Sequence, residues 1–309
     1  MLRHLLYITP FTGGSGHIVR GLSIIRALRR RGWGGRATIV APDTTMVLPD
    51  PIHAMFPQVG ATLVHLVGYV GAVSTDAEMP RILRDSTYIH ELERLRPDAI
   101  VVDSDWRDTA PASAEVAPVT LTVRYVRDPW WYGFRGHAPN VTSVGIEPLV
   151  HPNLIHRFVD PLVATWDARP LLSGDTYSHR LPLRDEDRAV VAGLSMAAPR
   201  IAATGDRVWV VSSNPNRLWK LADQQNRDPV WVNLPWAWDF LRQVDGPIVA
   251  SAGYVSYWTA HYFGLAPRVQ WVPDEMTAYD DQRIRIKHAR TGSFTNGADA
   301  LAGMLLGES

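Results

Sequence analysis

Residues 9–21 read TPFTGGSGHIVRG and follow the apolar run LLYI directly, so a glycine-rich turn delivers one histidine, His17, to the start of the next element. Ile18, Leu22, Ile25 and Leu28 recur at helical spacing and predict a helix over 17–32, with His17 in its first turn. Beside the N–H groups of a helix N-terminus a neutral imidazole is favoured, and in that form it can act as a base. The turn does not suit a dinucleotide, which calls for G-x-G-x-x-G and an acidic residue closing the next strand. Here the glycines are 13, 14 and 16, and Asp43 is a loose match for the acid. A P-loop is excluded because no Gly-Lys-Ser/Thr follows. A plain glycine turn that lets strand and helix approach closely is the other reading of this stretch.

A second chemical candidate closes the run PDAIVVDSDW. Asp103 ends a predicted strand, and strands one and four as neighbours in a parallel sheet would bring its carboxylate to His17. A carboxylate bonded to one imidazole nitrogen fixes the tautomer and strengthens the other nitrogen as a base. Asp105 is the fallback partner. The 11 histidines show neither H-x-x-x-H nor H-E-x-x-H spacing, so no metal site is expected. No G-x-S-x-G elbow supports a hydrolase triad, and with no cysteines a thiolate nucleophile is excluded.

The elements that must position these residues alternate. Apolar runs predict strands over 4–9, 36–42, 61–67, 97–103, 119–126 and 141–147, with helices over 17–32 and 79–96. Residues 150–205 read as a domain exit, a crossover and one helix near 185–195. Strands over 207–213, 229–234, 247–253 and 268–273 follow, interleaved with helices over 215–225, 236–244, 255–265, 280–290 and 297–306. Apolar strands alternating with helices predict the α/β class, with parallel sheets covered on both faces. The 309 residues suit two domains, read as 1–170 and 171–309. Ligands of such sheets bind beyond the carboxyl ends of the strands, which directs attention to the turns at 10–17, 103–107, 127–133, 212–216 and 250–256.

Lys+Arg and Asp+Glu balance at 31 each, against the basic excess of a protein that tracks nucleic-acid backbone. The first residues lack the apolar length and cleavage site of a secretory signal, and no apolar run approaches a membrane span, so a cytoplasmic location is expected. Of the 12 tryptophans most are expected to pack in the core. Trp130 and Trp131, after the fifth strand, suit a wall on which a sugar stacks.

YITPFTGGSGHIVRGLSIIRALRRRG resembles the opening of GT-B glycosyltransferases, among them lipid-intermediate N-acetylglucosaminyltransferases, UDP-glycosyltransferases and predicted bacterial members that begin G-x-G-H-x-x-R. The resemblance implies two Rossmann-like domains facing a central cleft, with the first taking the acceptor and the second the nucleotide-sugar. It implies that His17 deprotonates the acceptor hydroxyl and that Asp103 orients it. Gly14, Ser15, Gly16, Asp105 and Trp106 would line the acceptor side. RYVRDPWW is similar to a strand-to-loop segment of the predicted members and adds Arg127 and Asp128 there, beside Trp130 and Trp131. SAGYVSYWTAHYFGLAPRVQWVP with the later DDQ resembles the donor signature of the superfamily. It implies donor contacts from Gly253, Tyr254, Ser256, Asp281 and Gln282, with Gly253 allowing a sharp turn. Ser212, Ser213 and Asn214 stand where the family has its other phosphate-facing turn, and Thr259 stands where it has a ribose-binding glutamate.

The implied activity is transfer of a sugar from a nucleotide-sugar, expected to be a UDP-sugar, to an acceptor hydroxyl. Inversion, no metal and no other cofactor are expected. A nucleotide-sugar epimerase or hydrolase of the same fold, and a binding protein without turnover, remain as alternatives, the latter favoured by Thr259. A modified DNA base is a further acceptor class, with Arg20, Arg124, Arg127 and Arg135 as its candidate contacts. The oligomeric state is not readable.

Overall fold

The computed structural model describes residues 2–10, 15–42, 50–66, 87–104, 109–124, 139–148, 155–165, 207–211, 228–232, 238, 241–242, 246–272, 279–287 and 293–308. The chain divides into two compact units. The first comprises Met1–Leu48, Met55–Leu162 and Thr295–Ser309, and the second comprises Pro49–Ala54 and Val163–Phe294.

In chain order the first unit holds β1 (His4–Ile8), α1 (Ser15–Arg30) and β2 (Arg36–Pro42). After α2 (Asp50–His53), which belongs to the second unit, come α3 (Met55–Val59), β3 (Ala61–Leu66), α4 (Thr87–Leu95) and β4 (Ala99–Asp103). Then follow α5 (Ala110–Ser113), β5 (Val119–Val123), β6 (Val141–Gly145) and β7 (Arg157–Phe158). Seven parallel strands form one sheet in the order β3-β2-β1-β4-β5-β6-β7. Every residue of β1 is buried, as a strand covered on both faces requires. Leu6, Ile8, Ile100, Val102 and Leu121 share one core with Tyr88 and Leu92 of α4. The helix predicted over 79–96 is described from Thr87; its earlier part lies outside the described residues. The two-residue β7 is too short to give a pattern and was not expected.

The register sets Ile8 of β1 beside Val102 of β4, and the strand order reverses between these two. In open α/β sheets ligands bind beyond the carboxyl ends of the strands at such a reversal. α1 follows β1 at this point, and Asp103 ends β4 at the same edge.

The closing helix α8 (Gly297–Leu306) belongs to the first unit, whereas the sequence reading placed it with the second half. It packs on α1, with Arg30 paired to Asp299 at 2.8 Å and Arg31 to Glu308. Asn296 caps its N-terminus by accepting the Ala298 N–H at 3.0 Å. A Cβ on Gly297 would run into the Asp160 carbonyl, a backbone atom with little room to yield. Gly297→Ala is expected to destabilise the first unit by about 1–3 kcal/mol through this overlap. Urea unfolding checks this, and an unchanged midpoint would show that the helix docks differently.

The second unit carries β8 (Arg207–Val211), β9 (Asp228–Val232), β10 (Ile248–Ser251), α6 (Tyr254–Tyr262), β11 (Val269–Val272) and α7 (Tyr279–Lys287). Its parallel sheet runs β11-β10-β8-β9. Trp209, Trp238 and Trp258 are all buried, in keeping with the packing expected of tryptophans, and Tyr257 stands edge-on to Trp258 at 5.1 Å. The helix predicted over 215–225 and most of the one over 236–244 fall outside the described residues.

Candidate active site

The first unit brings His17 and Asp103 together. The helix starting at Ser15 carries His17 in its first turn, and β4 beside β1 carries Asp103 to the same edge of the sheet. Nδ1 of His17 donates to Oδ2 of Asp103 at 2.8 Å. Arg20, one turn along α1 on the same face, donates to that oxygen from Nη2 at 2.6 Å and from Nε at 3.1 Å. Arg20 Nη2 also lies 2.6 Å from His17 Nδ1. The charge-assisted bond to the carboxylate is the stronger, so the guanidinium proton goes to oxygen and Nδ1 keeps its own hydrogen. The lone pair of the imidazole then sits on Nε2.

The other oxygen, Oδ1, accepts from Thr122 Oγ1 of β5 at 3.0 Å and from Ser104 Oγ at 3.1 Å. Both carboxylate oxygens are thus fully engaged, and Asp103 is completely buried. Ser104 holds a left-handed backbone, φ +59°, at a cost of about 1–3 kcal/mol for a residue with a Cβ. Its N–H donates to the Thr122 carbonyl at 2.9 Å, which pins this turn to β5.

The electrostatics follow from burial among charges. Burial, and after it the Arg20 guanidinium, lower His17 to about 3 against the opposing pull of Asp103. Burial alone would raise Asp103, but Arg20 and His17 overcome it and hold the carboxyl well below the usual carboxylate range. Tyr7 of β1 is buried beside the pair, and burial with the Asp103 charge pushes its phenol well above the usual value. The site is therefore an ionised Asp103–Arg20 pair holding a neutral imidazole.

Gly21 makes room for this arrangement. A Cβ there would lie 2.6 Å from Cδ1 and 2.8 Å from Cε1 of the Tyr7 ring. Gly21→Ala is expected to displace Tyr7, cost about 1–3 kcal/mol and disturb the Asp103 cluster. A lowered unfolding midpoint together with shifted His17 ring resonances would show it, and wild-type values for both would refute it.

Other expected site residues stand as follows. Gly16 lies half-buried in the first turn of α1, and Ser15 begins that helix. Gly14, Asp105, Trp106, Arg127, Asp128, Trp130, Trp131 and Arg135 lie outside the described residues, as do Ser212, Ser213 and Asn214. Arg20, read from sequence as a contact for DNA, is buried in the ion pair with Asp103 and presents no cation to a phosphate backbone. Arg124, just past β5, is half-buried and places Nη2 3.4 Å from His17 Nε2.

In the second unit Gly253 is the N-cap of α6 and supplies no side chain to its first-turn N–H groups. Its φ of −57° and ψ of 147° are open to any residue, so the sharp, glycine-only turn expected there is not what glycine provides. What it provides is a helix end without a Cβ in front of it. Tyr254 is buried and Ser256 half-buried in that first turn. Asp281 and Gln282 lie on α7, Gln282 half-buried. Arg285 of α7, missed in the sequence, is 1% exposed and donates from Nη1 to the Ala252 carbonyl at 3.1 Å, tying α7 to the β10–α6 turn. Thr259 is fully buried and its Oγ1 accepts the Ala164 N–H at 3.3 Å, so this hydroxyl anchors backbone.

Arg20 escaped the sequence reading in its true role because its partner is 83 residues away, although the i, i+3 spacing from His17 placed both on one helix face. Among the described residues no group of three or more His, Cys, Asp and Glu side chains is placed to hold a metal ion, and no helix is long and apolar enough to cross a membrane.

No protein-family model and no curated protein matches the sequence. Solved structures do. Arabidopsis thaliana UGT89C1 complexed with quercetin matches at 14% identity and a TM-score of 0.52, over 100% of this chain and 90% of that one. The glycosyltransferase SnogD from Streptomyces nogalater matches at 14% identity and 0.47 over 100% of both chains. The UDP-GlcNAc 2-epimerase from Neisseria meningitidis bound to UDP-GlcNAc matches at 10% and 0.45, over 99% of this chain and 100% of that one. The seven-stranded parallel sheet, its reversal at β1 and β4, the second parallel sheet and the likeness to UGT89C1 together identify the fold of this chain as GT-B.

Proposed function

We propose that the protein is a glycosyltransferase that moves a sugar from a nucleotide-sugar, with UDP as the nucleotide, to an acceptor hydroxyl. The observation that carries this reading is the buried, neutral His17 held by an ionised Asp103 at the switch point of a GT-B sheet. In the proposed reaction Nε2 of His17 takes the proton of the acceptor hydroxyl as that oxygen bonds to the anomeric carbon. The bond from that carbon to the diphosphate breaks, and its electron pair leaves with the nucleotide. Asp103 stabilises the imidazolium that forms. A single displacement inverts the anomeric centre. Backbone N–H groups at the start of α6, with Ser256, are assigned to the leaving diphosphate, which a helix N-terminus can neutralise without a metal. Asp281 and Gln282 are assigned to the donor sugar, and Ser212, Ser213 and Asn214 to its phosphates. On the acceptor side the assignments are Gly14, Ser15, Gly16, Asp105, Trp106, Arg127, Asp128, Trp130 and Trp131. A cytoplasmic location accompanies the reading.

The buried Thr259 favours a second reading, in which the site turns over or holds a nucleotide-sugar without transfer, because the hydroxyl that replaces a ribose-binding glutamate is engaged with backbone. A thermal-shift panel of UDP, GDP and dTDP sugars separates them. Stabilisation by UDP species, followed by donor consumption only when acceptor is present, is the expected result. Donor consumed without acceptor would assign an epimerase or hydrolase, and stabilisation without any consumption a binding protein.

A further inference from the structure

One oxygen of Asp103 serves two competing donors. Nδ1 of His17 donates to Oδ2 at 2.8 Å, and Arg20 reaches the same atom from Nη2 at 2.6 Å and from Nε at 3.1 Å. A guanidinium and a carboxylate pair best through two parallel bonds, one to each oxygen. Here Nε and Nη2 of Arg20 crowd onto Oδ2 instead, with Nη2 also 2.6 Å from Nδ1 of His17. The cause lies at the other oxygen. Oδ1 accepts from Ser104 Oγ at 3.1 Å and from Thr122 Oγ1 at 3.0 Å.

Both hydroxyls are committed to that oxygen. Thr122 stands in register with Asp103 on the adjoining strand, and the Val102 carbonyl, 3.5 Å from its Oγ1, is too far to compete. Ser104 holds φ +59°, a backbone that glycine takes freely and a residue with a Cβ does not. Glycine there would relieve the strain and leave Oδ1 with one donor. The Ser104 N–H bond to the Thr122 carbonyl, 2.9 Å long, ties the two hydroxyl-bearing residues together.

Resting on the transfer reading, we propose that Ser104 and Thr122 are positioning residues that occupy Oδ1, keep Arg20 from spanning both oxygens of Asp103, and so hold Oδ2 on His17. Without them the carboxylate turns about its Cβ–Cγ bond until Nε and Nη2 of Arg20 meet one oxygen each. The bond to Nδ1 of His17 then lengthens. The imidazole loses the partner that fixes its tautomer and orientation, and Nε2 is no longer aimed at the acceptor hydroxyl. The ion pair gains what the base loses.

The His17 Nδ1–H proton reports this bond directly, because donation to a carboxylate moves its resonance far downfield. Protein carrying ¹⁵N-labelled histidine, with His17 assigned by His17→Gln, is measured without substrate. Thr122→Val keeps the side-chain shape and Ser104→Gly frees the backbone; each is expected to move the resonance upfield. Thr122→Ser, which keeps the hydroxyl, is expected to leave it in place. Adding Arg20→Lys to Thr122→Val is expected to restore it, since an ammonium is a point charge without the guanidinium fork. A resonance unmoved in both Thr122→Val and Ser104→Gly overturns the proposal. So does a shift in Thr122→Ser as large as that in Thr122→Val, or one that Arg20→Lys does not reverse. In transfer assays Thr122→Val is expected to lower kcat by up to about 100-fold, the cost of misplacing a reacting group by an ångström, with little change in KM for the donor. A shifted resonance with unchanged kcat would overturn the positioning role. Because the resonance is read without substrate, a wild type that transfers no sugar would remove the transfer reading and leave the resonance test intact.

Discussion

Replacing His17 with alanine is expected to leave the protein folded, keep its thermal response to nucleotide, and slow sugar transfer by about 100- to 10,000-fold, the range contributed by a positioned general base. The reasoning rests on the one-sided role of this ring. Asp103 and Arg20 retain each other without it, at 2.6 Å, so the buried charges stay paired when the imidazole is gone. What disappears is the only proton acceptor assigned to the reacting hydroxyl. Full transfer by His17→Ala would remove the mechanism. The pH dependence gives a second check. The usual histidine value is 6.5, and burial with Arg20 beside it lowers His17 to about 3. The base is therefore already unprotonated at pH 6.5, and kcat/KM of the wild type is expected to stay level as pH falls through that value. A limb centred near 6.5 would show a ring in a wetter, less charged setting. Stability carries the same sign. In the window between about 3 and 6.5 the unfolded chain binds a proton at this histidine and the folded chain does not. The stability contributed by the neutral ring is complete above 6.5 and is lost as pH falls toward 3. His17→Ala is expected to flatten the acid side of the stability profile.

Removing the charge of Asp103 is expected to have the largest effect on the fold. Asp103→Asn leaves Arg20, 3% exposed, without its counter-charge, and breaking a buried pair from one side costs about 3–5 kcal/mol. The effect should exceed that of changing both partners. Arg20→Met with Asp103→Asn removes the two charges together and is expected to recover part of the loss, which a double-mutant cycle by urea denaturation measures. An Asp103→Asn variant as stable as the wild type would show that the pair is not buried as described. Transfer falls as well in Asp103→Asn, because the imidazolium formed during the reaction loses the carboxylate that stabilises it.

Much of the frame was legible because its causes are local. The apolar runs at 4–8, 36–42 and 99–103 are strands; β1 is buried along its whole length, and burial on both faces favours near-continuous apolar residues. The helical spacing of Ile18, Leu22 and Ile25 reports one buried face of α1 in the same way. The meeting of His17 with Asp103 was legible for a related reason. His17 opens the helix that follows β1 and Asp103 ends β4, so only the adjacency of strands one and four had to be supplied. Arg20, Thr122 and Ser104 were not legible as its companions, since nothing near Asp103 in the chain names a guanidinium 83 residues away. Nor was the place of α8. Its capping residues define a helix, but its partner is α1, and the Arg30–Asp299 pair spans 269 residues.

By itself, then, the sequence determined the alternation of strands and helices, the place of His17 at a helix start, and the carboxylate that ends β4. These follow from periodicity, chain stiffness and position along a strand, which act over a few residues. The tertiary structure decided which charges surround the imidazole. One arginine is spent on Asp103 and another stands at Nε2, because burial makes every charge within a few ångströms count and places it by packing across the sheet.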